Sequence, residues 1–220
     1  MSHRRTVLGI DTSTFWLNLA LVDGEGAVLA EHHELVKTHT TRLVGALEGL
    51  LRGAGVEREA LAAVGAVVGP GSFTGLRVGL ASAEGLCQAL DIPAYATDSL
   101  SALALCAPGA GEGVALLDAR RSQVYEARFA REPGGQVRRL SEIRSVSPVE
   151  VLAGPAPAWA IGDGVPQVPD WPRNCRLDPL IPNLAVPAAR EAIGRLQRGE
   201  AGERLAPLYV RPPDVRPPRF

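Results

Sequence analysis

The apolar positions fall first into short strand-like runs, then into helical spacing, and the order then begins again. Thr6–Ile10 carries Val7, Leu8 and Ile10 and stops at Asp11, which predicts a buried strand. Phe15–Val22 and Ala27–Glu34 predict two more, with Asp23-Gly24-Glu25-Gly26 as the hairpin turn between them. From His39 to Leu51 the period lengthens: Leu43, Leu47 and Leu50 stand four and three apart, the spacing of a helix face. Thr38 or Thr40 can cap this helix, and Gly53 and Gly55 end it. Ala63–Val68 predicts a strand running into Gly69-Pro70-Gly71-Ser72-Phe73-Thr74-Gly75. The helix that leaves this block has Leu76, Leu80, Ala83, Cys87 and Leu90 on one face. Ile92–Ala96 predicts a strand, and Ser99–Cys106 a short helix opened by Asp98 or Ser99.

The second half restarts the series. Val114–Leu117 predicts a strand ending at Asp118, followed by Val124–Phe129 and, after the turn at Pro133-Gly134-Gly135, Val137–Ile143. Ser147-Pro148 opens a helix to about Leu152, and Ala158–Ile161 is a strand. Asp11 and Asp118 both end a first strand just before a hairpin return, an echo that predicts a duplicated fold. Residues 155–187 are rich in proline, which predicts long loops and an eroded second lobe. Ala185–Arg198 predicts the last helix, and the Pro/Arg-rich tail 211–220 an extended, polyproline-like segment. The expected division is a first lobe over 1–107, a second over 108–210, and the tail.

Composition narrows the class. The chain has 220 residues, 46% of them hydrophobic, enough for two cores of ordinary size. No apolar run approaches the roughly 18 residues of a membrane span, and the first apolar run is too short for a secretory signal. Cys87, Cys106 and Cys175 are odd in number and widely spaced, so reduced thiols in a cytoplasm are expected. Net charge is −1, which argues against a strongly basic nucleic-acid binder. Residues 1–110 hold 7 basic and 11 acidic side chains, residues 111–220 hold 16 and 13, so the second half better suits an acidic partner. Lys37 is the only lysine and follows no glycine loop, so a Walker-type lysine is missing.

Gly69–Gly75 is the strongest chemical feature. It reads either as an anion-binding loop at a helix N-terminus, with Gly71 and Ser72 against phosphate, or as a tight strand-to-helix connection capped by Ser72 or Thr74. Pro70 stands where a hydrolase nucleophile elbow has glycine, which disfavours that chemistry. Asp11, Thr12 and Ser13 end the first strand. In actin-like ATPases such residues hold Mg²⁺ and phosphate, while the plainer reading is an Asx turn. Asp118-Ala119-Arg120-Arg121 is the mirrored position, where two arginines can grip an anion or decorate a solvated tip. Gly75, Gly79, Ser82 and Ala83 make the second helix small along one line. Glycine inside a helix costs up to about 1 kcal/mol, so close approach is expected, either by the lobe's own sheet or by another subunit. His39 has Leu43 four residues on, so no His-x-x-x-His metal pair exists, and His39 is expected at the surface or an interface.

Ile10–Ser13, Val68–Gly79, Ile92-Pro93, Leu117–Tyr125 and Leu208–Arg211 together closely resemble the TsaB (YeaZ) family. The resemblance implies a duplicated actin-like, RNase H-like fold of the glycoprotease family without protease activity. It further implies a cytoplasmic, non-catalytic subunit for threonylcarbamoylation of adenosine 37 in tRNAs reading ANN codons. Its implied partners are the catalytic, metal-bearing paralogue TsaD and the ATPase TsaE, with tRNA met through the complex and a homodimer formed in isolation. The implied pairing surface is the first two helices, here His39, Leu43, Leu47, Leu50, Gly75, Leu76, Gly79, Leu80 and Ala83. This chain requires no cofactor on that reading, although ATP or ADP can sit in the assembled complex. The competing expectation is an actin-like ATPase or kinase working at Asp11 and the glycine block.

Overall fold

The computed structural model describes residues 6–211; His3 and the tail beyond Arg211 lie outside the described residues. The first sheet contains β1 (Thr6–Asp11), β2 (Trp16–Val22), β3 (Val28–Leu35), β4 (Leu61–Val67) and β5 (Ala94–Thr97), in the order β3-β2-β1-β4-β5. β2 runs antiparallel to both β1 and β3, whereas β4 and β5 continue the sheet in parallel. The second sheet contains β6 (Gly111–Arg120), β7 (Gln123–Arg131), β8 (Val137–Arg139), β9 (Arg144–Val146), β10 (Trp159–Ile161) and β11 (Arg176–Asp178). Its order is β11-β10-β6-β7-β8, with β9 also paired to β7. Read from the first strand outwards, the two orders are the same, and the parallel and antiparallel pairs match. The duplication predicted from two aspartates is a property of the topology.

Three details depart from the sequence reading. The third strand of the second half breaks into β8 and β9, because Leu140 and Ser141 fold back to bond both backbone groups of Arg128. The segment after Ser147 is a 3-10 turn, Pro148–Ala153, held by a capping box between Ser147 and Glu150. β11 lies inside the proline-rich stretch and is only three residues long, too short to leave a periodic signal. A second 3-10 turn of this half, Val165–Gln167, follows β10. These two short turns occupy the places where the first lobe has helices, which is the erosion of the second lobe.

Helix α1 (Leu43–Ala54) starts later than His39, and Arg42, not Thr38 or Thr40, is its N-cap residue. Helix α2 (Phe73–Leu90) is capped by Ser72, whose hydroxyl accepts from the Gly75 amide. Helix α3 (Ser99–Leu105) is capped by Asp98, which accepts from Ser101 at 2.9 Å. Helix α4 is Ala185–Gln197.

Division by sequence is not division in space. Helices α1 and α2 cover one face of the first sheet, and α4, from the second half, covers the other. Helix α3, from the first half, packs on β6 and β7. Each lobe thus lends a helix to its neighbour, because a sheet with only one covered face leaves its second apolar face in water. Residues 199–211 then run back along the first lobe, with Glu203 N donating to Ala94 O and Leu208 N to Val68 O. The backbone of α4 lies almost on the sheet: a Cβ at Gly9 would overlap the Ala185 carbonyl, and one at Gly65 the Ala188 carbonyl.

The β6–β7 hairpin tip is strained. Arg120, Arg121 and Ser122 have φ of 64°, 54° and 56°, and Arg121-Ser122 is a two-residue turn with both positions left-handed. Such turns favour glycine at the second position, since a Cβ there costs about 1–2 kcal/mol. Ser122→Gly is therefore expected to stabilise the protein by roughly 1 kcal/mol, read as a raised Tm in thermal unfolding.

The interlobe cleft and the outer helices

Strand β1 delivers Asp11 to the end of the first sheet, fully buried, and both carboxylate oxygens are taken by the chain itself. The Ser13 amide donates to Oδ1 at 2.8 Å, the Asx turn, and Asn18 Nδ2 donates to Oδ2 at 2.7 Å. Burial pushes the Asp11 carboxyl above its usual range, and the bonds from Ser13 and Asn18 oppose that shift. Asn18 Oδ1 accepts from His33 Nδ1 at 2.6 Å, and His33 stacks on Trp16 at 4.0 Å. His39 is buried, with Nε2 3.3 Å from the Trp16 carbonyl. This corrects the expectation of a histidine at the surface or an interface: the turn before α1 folds it against Trp16 at the start of β2.

The turn after β1 is bonded directly to the glycine block. Ser72 N donates to Ser13 O at 2.6 Å, and Thr12 Oγ1 donates to Gly75 O at 2.8 Å. A Cβ at Gly71 would overlap Ser13 O, one at Gly75 would overlap Thr12 O, and one at Gly79 would overlap Thr12 Oγ1. The glycines admit the chain's own backbone and hydroxyl at the place where a phosphate would need room.

The second lobe repeats the arrangement. The Arg120 amide donates to Asp118 Oδ1 at 2.8 Å, the same Asx turn as at Asp11. Gly162 follows β10 with φ 110°, as Gly69 follows β4 with φ 106°. Between Gly162 and Gly164 stands Asp163, which accepts from Asp118 N at 2.8 Å and whose carboxyl is raised by burial. The two turns face each other across a cleft of about 310 Å³. Ser13, Phe15, Ser72, Asp118, Asp163 and Tyr209 are among its lining residues. Phe15 and Asp163 are not site candidates from the sequence, and Tyr209 figures there only within the Leu208–Arg211 motif. The Gly162-Asp163-Gly164 echo of Gly69-Pro70-Gly71 is the available signal for Asp163; Phe15 has none.

The expected pairing residues lie on the inner sides of their helices. Leu43 and Leu50 of α1, and Gly75, Leu76, Gly79, Leu80 and Ala83 of α2, are buried within the first lobe, and Leu47 packs against the same core. The close approach inferred from Gly79 is to Thr12 of its own chain, so of the two readings left open, packing within the lobe is what the structure has. The outer sides carry a different set of small residues. Gly45, Gly49 and Gly53 of α1 recur every fourth residue, as do Ala81, Gly85 and Ala89 of α2. A Cβ on Gly45, Gly49, Gly53 or Gly85 would meet nothing within 4 Å. The α1 glycines also floor a groove of about 570 Å³ beside β3.

Two sheets of one repeated order, exchanging helices and facing each other across a cleft built from mirrored turns, define a protein of the two-lobed actin-like class. A family model described as TsaD, tRNA N6-adenosine threonylcarbamoyltransferase, matches residues 33–163. An uncharacterised protein of Mycobacterium tuberculosis is 32% identical over 96% of this chain and 94% of its own length. The tRNA threonylcarbamoyladenosine biosynthesis protein TsaB of Bacillus subtilis is 38% identical over 59% of this chain and 57% of its own. The solved structure of YeaZ from Pseudomonas aeruginosa superposes with a TM-score of 0.79 at 31% identity, covering 93% of this chain and 99% of that one. The chain belongs to the TsaB/YeaZ family of tRNA threonylcarbamoyladenosine biosynthesis proteins.

Proposed function

We propose that the chain is a non-catalytic subunit that pairs with a TsaD-type transferase, together with a TsaE-type ATPase, in threonylcarbamoylation of tRNA adenosine 37. One observation carries this reading: the turn that would hold nucleotide phosphate in an actin-like enzyme is zipped shut. Asp11 has both oxygens engaged and Ser13 O is bonded to Ser72 N. Opening that cradle would strand a buried carboxylate and break the Thr12–Gly75 bond, a cost of several kcal/mol before any ligand is bound. ATPase or kinase chemistry at Asp11, Thr12, Ser13, Gly71 and Ser72 is correspondingly disfavoured.

The pairing surface we assign is the outer side of the same two helices. Four glycines with open space at their Cβ positions cost the helices about 1 kcal/mol each, and none of the described residues packs against those positions. A second helix pair laid across them would recover that through close backbone contact. In isolation the same face would serve a second copy, giving a homodimer in the cytoplasm. The test is co-purification with the TsaD-type protein of the same organism. Gly85→Leu should weaken pairing at least about tenfold while leaving the circular dichroism spectrum unchanged. Undiminished pairing would remove this face from the assembly.

A further inference from the structure

We propose that the interlobe cleft holds one unstacked nucleotide of a single-stranded RNA segment, its base stacked at Phe15 and Tyr209 and its phosphates met by the surrounding arginines. The inference rests on the subunit reading above, which brings this chain into an assembly that works on tRNA.

The walls of the cleft are aromatic and guanidinium in alternation. On one side, Arg120 from the second lobe lies 4.7 Å from the centre of the Phe15 ring of the first. Phe15 is nevertheless 53% exposed, a large ring left in water at the cleft mouth. On the other side, Tyr209 stacks on Phe73 at 5.2 Å, and Arg77 lies 4.0 Å over Phe73 while donating to the Tyr209 hydroxyl at 3.1 Å. Arg211 closes the end, bonded to Gln123 Oε1 at 2.7 Å and 5.9 Å from the Tyr125 ring. Three of the cation–π pairs among the described residues thus meet at one cavity.

Aromatic rings interleaved with guanidinium planes are the surface that unstacked bases seek, and each stacked base is worth a substantial share of single-strand affinity. A volume of about 310 Å³ suits one nucleotide and is too small for a folded partner's element. The two carboxylates in the cleft are both engaged within the chain: Asp118 is ion-paired with Arg120 at 3.1 Å and Asp163 accepts from the Asp118 amide. The strained tip places Arg120 against this cleft. The strap that carries Tyr209 and Arg211 links both lobes, so a bound base would also fix their relative position.

The test uses the full chain, alone and paired with its TsaD-type partner, and a fluorescently labelled single-stranded oligoribonucleotide of about 10 residues, a length that spans one site of this kind. Phe15→Ala and Tyr209→Ala are each expected to weaken binding about tenfold, while Phe15→Tyr retains it. Arg120→Ala should reduce the slope of log K against log salt by about one. Free AMP should compete at least about a hundredfold more weakly than the oligonucleotide, since it lacks the flanking phosphates. Wild-type affinity in Phe15→Ala overturns the proposal, as does AMP competing on equal terms, which would make the cleft a small-nucleotide site. Partner pairing is measured on the same samples. Intact pairing without an effect of Phe15→Ala sinks the cleft inference alone, whereas a wild-type chain that fails to pair sinks the subunit reading instead.

Discussion

Gly79→Leu is expected to cost the first lobe about 3 kcal/mol or more, a large fraction of the stability of a domain this size. The new side chain has no path outwards. Its Cβ would overlap Thr12 Oγ1, and Thr12 is buried between α2 and β1 with its hydroxyl bonded to Gly75 O. Either α2 moves away from β1, opening a cavity beneath Leu76 and Leu80, or the turn at Thr12 is pushed out and its bonds to the glycine block are lost. Urea unfolding should show a lowered midpoint. Gly85→Leu, six residues further on, should leave the midpoint unchanged or raise it, by up to about 1 kcal/mol in stability, because its Cβ faces open space and leucine is the better helix former. The pair separates a glycine needed for folding from a glycine available to a partner. Equal destabilisation by both would mean that the outer face is also packed within the chain.

Gly65→Val should be more damaging still, by more than about 4 kcal/mol. Gly65 sits mid-strand in β4, and the Ala188 carbonyl and Ala189 amide of α4 occupy the space its Cβ would need. The contact is backbone to backbone, so no rotamer change relieves it. Helix α4 would have to lift from the sheet, exposing the apolar surface of Val7, Ala20, Ala63 and Tyr95 on one side and Ala185, Ala189, Ala192 and Ile193 on the other. The same helix ties into the core shared with the second lobe through Leu184 and Ala188. The expected readout is loss of hydrogen-exchange protection in α4 together with the interlobe core, not in the sheet alone. Protection lost only around β4 would show that α4 does not couple the lobes.

Much of this architecture is written in local patterns. The strands around Val7, Leu19, Val64 and Val114 announce themselves by apolar runs bounded by turns, and α2 and α4 by helical spacing. The repeated Asp-then-hairpin signature announces the duplication, because an Asx turn is made by neighbouring residues and needs no distant partner. The glycine block was equally legible as a place of close approach. What approached was not. Gly71, Gly75 and Gly79 accommodate Ser13 and Thr12, more than fifty residues earlier in the chain, and nothing local distinguishes that from a phosphate or a second protein. Phase was ambiguous for a similar reason: both sides of α2 carry small residues, and only the position of the sheet says that Gly79 and Ala83 point in while Ala81 and Gly85 point out.

By itself, the sequence determined the element order of the first lobe, the internal repeat and the position of both mirrored turns, since each of these rests on contacts between near neighbours or on periodicity, while the family was legible in the resemblance of its motifs. Only the tertiary structure decided that the lobes exchange α3 and α4, that His39 is buried, and that Phe15, Asp163, Tyr209 and Arg211 gather at one cleft. Those outcomes depend on which apolar faces find cover and on how closely two backbones can approach, and both are settled by packing between segments far apart along the chain.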